Sequence, residues 1–149
     1  MSEIKFRGKV LEDNEELELM GVKIENGWVT GNLIQNGSNP VIVGDVVEIN
    51  DEYLNLGWWV SVIPETISQY TGLKDKNGVE IYEGDILKNE KGYIGYVAFL
   101  IQESGYAVVL KNSDYRLGHR NTGEHYTVAQ GHEIIGNKFD NPELLEGIK

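Results

Sequence analysis

The chain has 149 residues, a formal net charge of −11, no cysteine, 18 glycines and 3 prolines. That length suits one domain or two small lobes, and the lack of cysteine excludes disulfides, thiolate metal sites and a cysteine nucleophile. The acidic balance disfavours nucleic acid as a partner, since binding to its backbone draws on clustered Lys and Arg; no run of about 18 apolar residues could span a bilayer, and MSEIKFRGKV lacks a signal-peptide pattern, so a soluble, cytoplasmic protein is expected.

Taken in chain order, EIKFRGK (3–9) alternates Ile4 and Phe6 with charged residues, the period of a half-buried strand. The acidic run EDNEELE (12–18) reads as a solvated loop or charged strand edge, with a docking patch for a basic partner as the alternative. LELMGVKI (17–24), WVTGNLIQ (28–35), VIVGDVVEIN (41–50) and WWVSVI (58–63) follow as strands. Asn26-Gly27 and Asn36-Gly37 supply the positive φ that a hairpin turn demands, so the series reads as a meander. Pro64 cannot donate to a ladder and marks the boundary between an N-terminal lobe, 1–63, and a C-terminal lobe, 64–149. Beyond it, ETISQYT (65–71), GVEIY (78–82), DILKN (85–89), YIGYVAFLIQ (93–102), GYAVVLK (105–111), HYTVAQ (125–130) and HEIIGNKF (132–139) are further short strands. Asn141-Pro142-Glu143 offers an N-cap, a proline at the first helical position and an early acid, which predicts a brief C-terminal helix. The fold class is therefore mainly β: two small antiparallel lobes closed by one short helix.

The stretch QYTGLKDKNGVEIYEGDILK (69–88) poses the choice between a catalytic loop and a structural corner. Asp75-Lys76-Asn77-Gly78 lacks the glycine at position six and the glutamate at position twelve of a calcium loop, so it reads as a turn. In Gly84-Asp85 the glycine takes a sharp corner and the aspartate accepts backbone N–H groups. VGDVVEIN (43–50) echoes EGDILKNE (83–90) and suggests the same β-corner used once per lobe. A hydrolase built on Glu83, Asp85 and Asp45 is the catalytic alternative; no neighbouring cluster of His, Lys or Arg completes it. His119, His125 and His132, near Asp114 and Glu124, lack the spacing of a metal site, and no phosphate loop or nucleophile elbow occurs, so neither metal nor cofactor is expected.

Trp58 and Trp59 are adjacent, so in a strand they face opposite ways and both are covered only if both faces are. One is expected at a lobe interface, a subunit interface or a binding surface. Tyr70 and Tyr82 head a set of second-half tyrosines that could stack bases, but the neighbouring acids offset the lysines such a platform requires. Trp58, Trp59, Tyr70 and Tyr82 are the candidate interaction residues.

The opening stretch, with EIKFRGK, WVTGNLIQNG, VGDVVEIN and EIIGNKFDNPELL, resembles the YopX family of phage and prophage proteins over nearly the whole chain. The resemblance implies a mainly β protein whose C-terminal half is an SH3-like barrel, encoded by a phage or prophage, and it carries over no catalytic residue. The leading expectation is a non-catalytic accessory protein that binds a bacterial or phage protein and forms a homo-oligomer. Direct nucleic-acid binding, or imitation of DNA to inhibit a host enzyme, is the alternative.

Overall fold

The computed structural model describes residues 3–11, 18–19, 21–100, 105–110, 114–116 and 131–146. They form antiparallel sheets in two compact units, Glu3–Gln69 and Tyr70–Lys149. The first unit holds β1 (Phe6–Lys9), β2 (Trp28–Ile34), β3 (Val41–Val43), β4 (Val46–Ile49), β5 (Leu54–Leu56) and β6 (Trp59–Ser61). Four of these lie side by side in the order β6-β3-β2-β1, while among the described strands β4 and β5 pair only with each other. A bridge between Val10 and Val62, with the Ile63 N–H donating to the Lys9 carbonyl at 2.8 Å, joins the far ends of the four-stranded sheet and curls it over its core.

Alternation decides which side chains fill that core. Val29 and Leu33 of β2, Ile42 of β3 and Val60 of β6 point inward with Val10, Val22 and Val62. Gly8 is required by closeness, since a Cβ there would stand 2.8 Å from the Val62 side chain. Asn26 and Gly27 take φ values of 54° and 86°, and Glu25 and Trp28 exchange two backbone hydrogen bonds of 2.9 and 3.0 Å, which makes the expected two-residue hairpin turn. Asn36-Gly37 instead lies within a six-residue connection, because the register pairs Ile34 with Val41.

The strand expected over 17–24 is absent from its described residues: Glu18 and Leu19 are helical, and Gly21, at φ 94°, donates to the Glu18 carbonyl at 3.0 Å. A left-handed glycine closes that turn, and Val22 then serves the core as a single anchor rather than through a ladder. The run 41–50 is broken at Gly44-Asp45 into β3 and β4. Pro64–Thr66 form a 3-10 turn, after which β7 (Ser68–Lys74) pairs with β1 through Ser68 and Gln69.

The second unit contains β8 (Glu80–Tyr82), β9 (Asp85–Lys88), β10 (Ile94–Leu100), β11 (Gly105–Leu110), β12 (Asp114–Arg116) and β13 (Glu133–Asn137). Five of them form a sheet in the order β12-β11-β10-β9-β13 around a core of Ile81, Leu87, Val97 and Val108. The described strands leave this sheet open, so the SH3-like closed barrel implied by the resemblance is not formed by them. The C-terminal helix is also corrected: Pro142–Leu145 make one 3-10 turn. The Asn141 carboxamide does not cap it but turns back, accepting from the Asn137 N–H at 3.2 Å. HYTVAQ (125–130) lies outside the described residues. Among those described, no helix is long and apolar enough to cross a membrane.

Candidate interaction surface

Trp58 and Trp59 have different surroundings, although only Trp59 lies in a strand and Trp58 immediately precedes it. Trp59, on β6, is 64% exposed, whereas Trp58 is half-buried and packs against the first core. The Trp58 indole is held by contact: a Cβ built on Gly44 would lie 2.5 Å from its Nε1. Two backbone bonds of 2.9 Å, Gly44 N–H to the Trp58 carbonyl and Gly57 N–H to the Asp45 carbonyl, clamp the strands here. They form the base of the hairpin made by β4 and β5.

That hairpin pairs Val46 with Leu56 and Ile49 with Leu54, with an irregularity between Val46 and Glu48. Its turn is built locally: the Asn50 side chain accepts from the Glu52 and Tyr53 N–H groups at 2.8 and 3.1 Å, and the Tyr53 hydroxyl donates to Glu48 at 2.6 Å. Val47, Ile49 and Leu54 are nevertheless all more than half exposed. A two-stranded ribbon is marginal alone in water, and this one leaves those apolar side chains exposed. At the base of the hairpin lies a cleft of about 340 Å³, lined by Glu3, Lys5, Thr30, Asn32, Asp45 and Trp58 among others. The cleft lysine is already engaged, Lys5 Nζ standing 3.3 Å from Glu3.

In the second unit the candidate tyrosines are interior. Tyr70 and Tyr82 face each other across β7 and β8 with ring centroids 5.5 Å apart, and both are buried. They cross-link strands instead of presenting a stacking platform. Asp85 is 1% exposed and accepts the Tyr82 N–H at 2.7 Å, while Gly84, at φ 89°, donates to Val97 and accepts from Lys138. This is the corner expected from sequence. Asp45, its supposed counterpart, is different: Gly44 has no positive φ, and Asp45 is exposed on the cleft. The echo therefore does not mark one corner used twice.

Asp75 is likewise buried, with Oδ1 accepting from the N–H groups of Asn77 and Val79 at 2.8 and 2.9 Å and Oδ2 from that of Ile134 at 3.1 Å. One carboxylate thus shapes the Asn77-Gly78 turn and ties it to β13. Glu83 is half-buried and helps raise the Tyr106 pKa above its ordinary value, behind the larger effect of burial. Among the described residues no group of three or more His, Asp or Glu could hold a metal ion. His132 is buried there, and His119 and His125 lie outside them.

Sequence reasoning missed β5 and β12, and with β5 the hairpin and the Asp45 cleft. A signal for the hairpin exists: residues 24–73 contain no Lys, Arg or His, and Asn50-Asp51-Glu52 separates two short apolar runs within them.

The chain superposes on the crystal structure of protein EF1440 from Enterococcus faecalis with a TM-score of 0.56, covering 98% of this chain and all of that one at 22% identity, a likeness of fold. No curated protein matches the sequence. The model of the family described as YopX protein matches residues 5–146, the span that contains the described strands of both units and the hairpin. The chain belongs to the YopX protein family.

Proposed function

We propose that this is a non-catalytic accessory protein of a phage or prophage that binds another protein in the bacterial cytoplasm through the β4–β5 hairpin of its first unit. The observation that carries the reading is the exposed apolar set Val47, Ile49 and Leu54 on a ribbon that pairs with no third strand among the described residues. Family membership supports the phage or prophage setting. The test is affinity purification from lysogenic cells of the wild-type chain beside an Ile49→Ser/Leu54→Ser variant. A defined protein retained by the first and lost by the second is the expected result. Identical recoveries, together with turnover of a small molecule in an activity screen, would overturn it.

A second reading, imitation of DNA, is favoured by one observation. Residues 24–73 hold six acids and no basic side chain. Release of a host nuclease or repressor from its DNA by the purified protein would support it, and gel retardation of DNA at low salt would instead indicate direct binding.

A further inference from the structure

The hairpin and the cleft at its base form one surface, and their chemistry defines what covers it. The hairpin face is apolar at Val47, Ile49 and Leu54, and around it stand Asp45, Glu48, Asp51 and Glu52 with no Lys, Arg or His anywhere from 24 to 73. A second copy of this chain would bring two such acidic arms together. Like-charge juxtaposition at an interface disfavours association and serves to reject wrong partners. A surface carrying Lys or Arg around an apolar strip is complementary instead.

The cleft narrows the choice further. Trp58, its indole close against Gly44, and Asp45, where the chain leaves β3, both line the cleft. Asp45 makes no ion pair among the described residues, whereas Lys5 and Glu3 already neutralise each other. An aromatic residue and an acidic residue lining one cleft, with Thr30 and Asn32 as further polar lining, make an environment suited to a planar cation. We infer that the cleft binds the guanidinium of an arginine projected by the partner protein while the hairpin covers the apolar strip beside it. This rests on the protein-binding reading above and names the partner's chemistry.

The experiment follows the Trp58 indole N–H resonance, assigned by its loss in Trp58→Phe, as the full-length protein is titrated with N-acetyl-arginine methylamide and with its neutral citrulline isostere. The arginine compound is expected to shift that resonance and to bind about fivefold or more tightly than the citrulline compound. In Asp45→Asn the two are expected to become equivalent, with an unchanged circular dichroism spectrum. Equal effects of the two compounds on the wild-type protein, or none from either, would overturn the inference without recourse to a variant. So would a dimer whose mass falls to that of the monomer in Ile49→Ser/Leu54→Ser, since a second copy would then occupy the surface. The two readings fail separately: a hairpin-dependent partner recovered from cells beside an unselective cleft removes the arginine site and leaves protein binding standing.

Discussion

Two Gly-Asp pairs that look alike in sequence have opposite fates. Asp85 is sealed inside and spends an oxygen on the Tyr82 N–H, while Asp45 is exposed on a cleft. Buried carboxylates survive only where hydrogen bonds replace water, and Asp75 is the clearest instance, with three backbone N–H donors. Replacing Asp75 by Ala strands those donors and is expected to cost about 2–4 kcal/mol in urea unfolding, with Asp75→Asn costing less because one carbonyl oxygen remains. A loss below about 0.5 kcal/mol for Asp75→Ala would contradict this account of the turn. Tyr106 gives a pH prediction. Its pKa is raised in the folded state by burial first and by the Glu83 charge second. The folded protein then keeps a proton that the unfolded chain releases, so this group's stabilisation is complete below about pH 10 and is lost as pH rises through the folded pKa. Thermal unfolding across that range should fall less steeply in Tyr106→Phe; parallel profiles would remove Tyr106 as the cause.

At the scale of elements, close approach and turn chemistry decide where strands begin and end. A Cβ on Gly31 would lie 2.3 Å from the Val43 carbonyl oxygen, so Gly31→Ala must displace β3 from β2. It is expected to cost roughly 3 kcal/mol, the upper end for overpacking, because backbone rather than a flexible side chain must move. Gly37→Ala meets nothing within 4 Å and suffers only its left-handed φ of 57°, so about 1 kcal/mol is expected. Chemical denaturation that ranked the two the other way would refute the strand contact. The hairpin behaves differently again: Ile49 and Leu54 are exposed, and serine at either should alter stability by less than about 0.5 kcal/mol while weakening partner capture.

For the whole molecule, charge and uncovered aromatic surface are the governing quantities. With a net charge of −11, self-repulsion opposes the compact state, so raising ionic strength from about 0.01 to 0.15 M should raise Tm as the screening length contracts from about 30 to 8 Å. A fall in Tm would show that attractive ion pairs dominate. Trp59 stands 64% exposed on β6, and a homo-oligomer that covers it is the simplest proposal for its role. Light scattering at micromolar concentration should then give a dimer that Trp59→Ser weakens. A monodisperse monomer would refute this, and a dimer indifferent to the substitution would move the contact elsewhere.

Much of the fold was legible because its causes are local. The alternation in EIKFRGK, the Asn26-Gly27 turn and the aspartate of the Gly84-Asp85 corner each act through neighbours in the chain, and the family resemblance drew on the first and last of these segments. LELMGVKI showed the limit, since its apolar residues could be satisfied by a ladder or by single anchors, and Gly21 decided for the latter. Tyr70 and Tyr82 are interior because β7 and β8 pair in that register, which composition does not encode. The candidate site was the least legible part. Asp45 and Trp58 are thirteen residues apart and become one cleft only when the strands on either side of the hairpin are hydrogen-bonded at its base. The sequence by itself determined the antiparallel β class, the Asn26-Gly27 and Gly84-Asp85 turns and the acidic balance, because backbone preference, side-chain period and charge are properties of short segments. Only the tertiary structure decided which aspartate is sealed and which is open, because burial depends on what the rest of the chain brings over each residue.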